Sequence, residues 1–194
     1  MTGTRRFVVA ISGSTGAVYG VRLMQFLREQ EGVELHLVMS APGKKTLVAE
    51  TDYSVKDVEA LAHVVHDNRD IGSPIASGSF RTAGMAIVPC SIKTLSALAS
   101  SYGDTLIARA GDVALKERRP LVVVARETPL HAGHLRQMLT LAELGAVILP
   151  PMPAFYLRPQ TIAEIVDHTV ARVLDHLGVE HSLVPEWSGA APGR

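Results

Sequence analysis

The sequence predicts an α/β domain whose parallel sheet is covered by helices on both faces, and three observations predict it. Five short runs rich in apolar and β-branched residues, RFVVAIS, VELHLVMS, MAIVP, LVVVA and AVILP, recur along the chain. Each is separated from the next by residues whose apolar positions repeat at helical spacing. Every run also ends in polar residues, the arrangement of an open sheet that binds ligands beyond the carboxyl ends of its strands. At 194 residues with 47% hydrophobic content the chain suits one globular domain, large enough to bury roughly 70% of its unfolded surface.

The elements follow in order. RFVVAIS reads as a buried strand that feeds the loop GSTG and then AVYGVRLMQFLRE, a helix expected over residues 17–30. VELHLVMS leads to Ser40, APGKK and a helix over 43–51. The run HVVHD and the loop to SGSF read as irregular. MAIVP leads to PCSIKT and helices over 91–100 and 104–118, LVVVA to RETP and a helix over 131–144, and AVILP to PPMPAFYLRP and a helix over 161–177. Residues 1–183 are expected to form one domain, and 184–194 a tail poor in core-forming residues, anchored if at all by Trp187. No internal repeat is found.

Lys and Arg number 19 and Asp and Glu 19, a formal net charge of zero. That balance argues against a nucleic-acid or membrane-surface protein whose affinity rests on phosphate neutralisation, so the expected ligand is small. Cys90 is the only cysteine, which excludes an intrachain disulfide framework. The N-terminus lacks the charged-then-apolar pattern of a signal peptide, and no apolar run approaches about 18 residues. A cytoplasmic setting is the expectation.

The loop GSTGAVYG fits neither G-x-G-x-x-G nor G-x-x-x-x-G-K-[ST]. It nevertheless places Gly13, Ser14 and Thr15 where a strand feeds a helix, and unpaired N–H groups at a helix start favour an anion. An N-cap with a tight turn accounts for the same residues. The second strand ends in Ser40 where a dinucleotide fold usually carries Asp or Glu for a ribose diol, so a mononucleotide or flavin phosphate on Gly13 to Thr15 and Ser40 fits better than NAD. Arg126, Glu127 and Tyr156 are expected to meet these hydroxyls at one crevice.

Arg109 and Lys116 lie seven apart and hence on one helix face, with Asp112 and Glu117 as local partners. Arg172 lies in the last helix. Glu127 directly follows Arg126 at a strand end, where a carboxylate can move protons beside a cation. Glu50 at a helix end reads as surface. Cys90, just past a buried strand, reads as a small apolar filler, and the histidine pairs His63/His66, His131/His134 and His168/His176 lack any recognised zinc spacing. Met85, Met138 and Met152 read as core or pocket lining.

Taken together, GSTGAVYG, the block from SGSFRTAGMAIVPCSIKT through KERRPLVVVARETPLHAGHLRQML, and PPMPAFYLRPQTIAEIVDHTVARVLD resemble the flavin prenyltransferases of the UbiX/Pad type, within the flavin-containing cysteine decarboxylase superfamily. DIGS and SGSFRT are similar to the subgroup that accompanies hydroxyarylic acid decarboxylases. The resemblance spans roughly residues 7–178. It implies a flavodoxin-like Rossmann variant, assembled as a homododecamer with active sites at subunit junctions. It also implies metal-independent transfer of a dimethylallyl group from dimethylallyl monophosphate to reduced FMN, giving prenylated FMN for a UbiD-type decarboxylase.

Residue by residue, the resemblance assigns Gly13, Ser14, Thr15, Ser40, Ser91, Ile92, Lys93, Thr94 and Arg126 to FMN. Tyr156, Lys116, Arg172 and Arg109 go to the dimethylallyl phosphate, with Arg126 shared. Glu50 and Glu127 are assigned to proton movements, with Thr15 and Lys116 also in the catalytic set. Two departures stand out: Ile71 occupies about the place where many members carry Trp, and Thr15 stands where others have Ser. The Ile71 departure motivates an alternative, a non-catalytic FMN carrier. A flavin-dependent cysteine decarboxylase is a second alternative, although PPMPAFYLRP lacks that branch's P-x-M-N-x-x-M-W stretch.

Overall fold

The computed structural model describes residues 3–186 and residue 189, so Trp187 lies outside the described residues. The chain runs β1 (Arg5–Ile11), α1 (Ala17–Arg28), β2 (Val33–Met39), α2 (Ala41–Glu50), α3 (Val55–Leu61), β3 (Val64–Asp67), β4 (Gly84–Cys90), α4 (Ile92–Ala99), α5 (Leu106–Lys116), β5 (Leu121–Ala125), α6 (Ala132–Glu143), β6 (Val147–Ile148) and α7 (Ile162–Leu177). Short 3-10 turns fall at Pro74–Ala76 and Phe155–Leu157. The sheet order is β3-β2-β1-β4-β5-β6 and every pair is parallel. Without the edge strand β3 this is the flavodoxin order, as expected.

β4 and β5 are buried at every position, because a parallel strand covered on both faces has no wet side. One core joins Phe7, Val9 and Leu37 to Val21 and Met24 of α1, Leu47 of α2, Val58 of α3 and Val170 of α7. The other joins Val8, Ile87 and Val123 to Leu95 of α4, Ile107 of α5 and Leu141 of α6. The two cores lie on opposite faces, since neighbouring strand residues point to opposite sides.

Two elements differ from the sequence expectation. HVVHD is not irregular: Val64–Asp67 is an edge strand that pairs with β2, and its burial alternates because one side faces solvent. The short helix α3 was not expected from periodicity. Its 7 residues bury only Val58, and a capping box, with Ser54 and Asp57 serving each other's amides, secures its start.

Candidate active site

β1 and β4 lie side by side, yet α1 packs on one face and α4 on the other, so the loops that follow the two strands part and open a crevice. Ser12 ties the floor of that crevice. Its hydroxyl, 1% exposed, donates to Pro89 O at 2.9 Å and accepts from Ser91 N at 2.7 Å. Sequence reading passed over Ser12; its place directly after a fully apolar run was the available signal.

Beyond Ser12, the glycine loop turns through Gly16 at φ 103°, a left-handed conformation in which glycine carries no Cβ penalty. Gly13 approaches α2 so closely that a Cβ there would fall on the Cβ of Pro42. The start of α1 does attract an anion, and within the chain that anion is Glu50: its Oε2 accepts from Gly16 N at 2.8 Å and Ala17 N at 3.3 Å. Glu50 is thus exposed, as expected, yet fixed in place. Ser14 Oγ is buried with no hydrogen-bond partner. A buried hydroxyl left unpaired is costly unless a ligand completes it, so this atom fits a polar ligand in the crevice.

Gly13, Ser40, Ser91, Lys93 and Thr94 line a single cavity of about 300 Å³, together with Asn68 and Thr105. Hydroxyls cap the helices that start here: Ser40 Oγ accepts from Gly43 N at 3.0 Å and Ser91 Oγ from Thr94 N at 3.4 Å. Ile92 opens α4 behind Ser91. Thr15 is exposed at the loop tip. Asn68, another residue missed from sequence, accepts through its backbone O from Leu106 N at 2.9 Å and through Oδ1 from Ile107 N at 3.1 Å, pinning the start of α5.

Arg126 and Glu127 follow β5 at the same end of the sheet and are exposed. Arg126 N donates to Cys90 O at 3.1 Å, and Glu127 Oε1 accepts from Thr128 N at 3.0 Å. Arg126 also acts on Tyr19, whose hydroxyl burial pushes up in pKa while Thr169 and the Arg126 guanidinium oppose the shift. Cys90 is fully buried, and burial alone pushes its thiol far up, which fits the filler reading.

The remaining expected residues do not gather at this crevice within one chain. Tyr156, expected there from its place after β6, is carried away by the chain leading to α7. With Arg172 it lines a groove of about 830 Å³ against that helix. Arg172 Nη1 bonds Asp175 Oδ2 at 2.6 Å, and His181 Nε2 meets the other oxygen at 2.9 Å. Arg109, near the start of α5, pairs with Asp112 at 3.2 Å. Lys116 ends α5, an 11-residue helix, so it lies about 15 Å along the axis from Leu106. There it bonds Glu117 at 2.6 Å and faces Gly78 in the segment leading into β4.

Comparison with known proteins gives the family. The model of the flavoprotein family matches residues 1–174. The flavin prenyltransferase UbiX of Salmonella typhimurium is 57% identical over 188 residues, 96% of this chain and 100% of its own length. The chain belongs to the UbiX-type flavin prenyltransferase family. Among solved structures, a dodecameric FMN-dependent UbiX-like decarboxylase from Escherichia coli O157:H7 is 51% identical, with a TM-score of 0.93 over 95% of this chain and 100% of that one. AnUbiX (PadA1), solved in complex with FMN and dimethylallyl pyrophosphate, is 49% identical, with a TM-score of 0.93 over 96% of this chain and 98% of that one. The UbiX-type frame therefore covers β1 to α7 without a break. No helix among the described residues is long and apolar enough to cross a membrane.

Proposed function

We propose that this chain is a flavin prenyltransferase that moves a dimethylallyl group from dimethylallyl monophosphate to N5 and C6 of reduced FMN, without a metal, in the cytoplasm. Its product, prenylated FMN, serves a UbiD-type decarboxylase of aromatic or hydroxyarylic acids. The observation that carries the reading is the crevice lined by Gly13, Ser40, Ser91, Lys93 and Thr94, in a chain that matches a flavin prenyltransferase nearly end to end. Reduced FMN supplies the two nucleophilic ring atoms and is the acceptor substrate.

The chain's own residues do the rest. Ser14 Oγ gains the partner it lacks, and Ser40, Ser91, Ile92, Lys93 and Thr94 hold the ribityl phosphate. Thr15 lies at the crevice mouth. Glu50, held by two amides through one oxygen, keeps its other oxygen to accept a proton, and Glu127 takes the corresponding place after β5. Arg126 reaches both phosphates. Lys116, Arg172, Tyr156 and Arg109 stabilise the departing phosphate, since clustered fixed cations favour a developing anion in a water-poor site.

Lys116 and Arg172 do not line the crevice of their own chain, so each active site draws on neighbouring copies. A homododecamer supplies those copies; the UbiX-like decarboxylase of Escherichia coli O157:H7 is dodecameric. The test is anaerobic incubation with dithionite-reduced FMN and dimethylallyl monophosphate, followed by mass spectrometry of the released flavin. A gain of C5H8 is expected. FMN bound but unchanged, with Ile71 in place of Trp, would favour the carrier.

A further inference from the structure

Across the edge of the sheet from the crevice runs a chain of hydrogen bonds that the reaction above does not use. Glu34 Oε1 meets His36 Nε2 at 3.0 Å, His36 Nδ1 meets His66 Nε2 at 2.9 Å, and His66 Nδ1 meets Ser73 Oγ at 2.6 Å. His36 and Ser73 are 2% and 4% exposed. The two imidazole planes lie 13° apart with centroids 5.2 Å apart, edge to edge across their hydrogen bond, and Phe80 packs edge-on against His36. Arg6 Nε anchors the far end on Glu34 Oε2 at 3.1 Å.

One set of tautomers satisfies every link. A carboxylate at Glu34 accepts from His36 Nε2–H, His36 Nδ1 accepts from His66 Nε2–H, and His66 Nδ1 accepts from the Ser73 hydroxyl. Both rings are then neutral. A proton added to either ring leaves three hydrogens on four ring nitrogens; with one serving Glu34 and one the His36–His66 link, the third falls on His66 Nδ1, which turns from acceptor to donor, and the Ser73 hydroxyl must give up its own donation to His66.

What the chain of bonds fastens is the turn between His66 and Ser73. Within that turn sits Asn68, which pins the first amides of α5 and lines the flavin cavity. We propose that His36, His66 and Ser73 are positioning residues for flavin binding, and that protonating the histidine pair loosens the Asn68 wall and weakens FMN affinity as pH falls. This rests on the crevice being the FMN site.

The surroundings set where the change falls. Burial lowers the pKa of His36; Glu34 opposes that, and Arg6 and His63 add to it. Burial also lowers His66, with His36 adding to the effect and Asp70 opposing it. The neutral, bonded state therefore holds through neutral pH, and the loss occurs below the ordinary histidine range. For one linked proton, the dissociation constant rises by up to about tenfold per pH unit below that point.

The experiment measures the dissociation constant of oxidised FMN, by quenching of its fluorescence, from pH 8 to pH 5 for the wild type, His66→Gln and Ser73→Ala. FMN titrates its own phosphate equally with all three proteins, so the difference between profiles reports the protein. Glutamine at 66 can accept from Ser73 and donate to His36 without gaining a proton. Its profile should be flatter than the wild type's at acid pH while the two agree at pH 8. Ser73→Ala should bind more weakly at pH 8, with a shallower acid limb. Superimposed wild-type and His66→Gln profiles, with tight binding throughout, would overturn the proposal. Failure of all three proteins to bind FMN would instead overturn the crevice assignment.

Discussion

Ser12→Ala is the sharpest probe of the crevice, because it deletes one oxygen and leaves every apolar contact in place. In the variant, Pro89 O keeps the bond from Ser12 N at 3.1 Å, but Ser91 N loses the acceptor it had at 2.7 Å. A fully buried donor left unpaired costs about 1–3 kcal/mol, and Ser91 N is part-buried, so the middle of that range is an upper estimate. Taking about 2 kcal/mol, and a chain of this size losing about 2–4 °C per kcal/mol, the melting temperature should fall by up to about 4–8 °C. Because Ser91 also caps α4, the same change should weaken FMN binding. Urea unfolding and flavin titration at matched protein concentration measure both, with Ser79→Ala as a control whose hydroxyl is exposed. A stability loss below about 0.5 kcal/mol, the range of ordinary surface changes, with unaltered FMN affinity would refute the reasoning.

Two further outcomes follow from the placement of side chains. Lys116→Ala and Arg172→Ala should each abolish most prenylation while leaving FMN binding nearly intact, and a mixture of the two variants, unfolded and reassembled together, should recover part of the activity. Recovery would show that different protomers supply Lys116 and Arg172 to one site; no recovery, with mixed assemblies shown by native mass spectrometry, would show that a single protomer supplies both. Cys90, buried and with its thiol pushed up in pKa, should resist iodoacetamide at pH 8 until the chain is unfolded; rapid native labelling would contradict the packing.

The parts of the fold that were legible in the sequence are those whose burial is uniform. LVVVA and MAIVP are apolar because both faces of each strand are covered, and such a run announces itself without knowledge of its neighbours. β3 could not be read that way, since an edge strand of 4 residues with alternating burial carries little signal. Local chemistry was equally legible: the pairs Arg109–Asp112 and Lys116–Glu117 need only spacing along one chain segment. Long-range chemistry was not. Glu50 reaches amides 33 and 34 residues away, and nothing in VAETD marks it for that task. Arg109 and Lys116 do share a helix, but spacing says nothing about which end of the sheet each one meets.

The position of Glu50 also decides where a flavin phosphate can sit. The sequence places an anion at the start of α1, and the carboxylate already holds the amides of Gly16 and Ala17 there. A phosphate at the same amides would meet a like charge a few ångströms away, an unfavourable contact of about 1–4 kcal/mol at 4 Å between water and a typical surface dielectric. The starts of α2 and α4 carry no carboxylate in their first turns; they offer Ser40, Ser91, Thr94 and the Lys93 ammonium in one cavity, whose lining carboxylate, Asp104, is exposed to solvent ahead of α5. On the proposed function the phosphate is expected in that cavity, with the glycine loop left to the rest of the flavin. Comparing FMN with riboflavin isolates the phosphate. Removing Lys93 by alanine, or the Thr94 hydroxyl by valine, should shrink the preference for FMN by about tenfold, the worth of one charge-assisted hydrogen bond at about 1.5 kcal/mol. Thr15→Val should leave that preference unchanged. If Thr15→Val alone collapses it, the phosphate sits on the glycine loop, and Glu50 must leave the α1 amides when flavin binds.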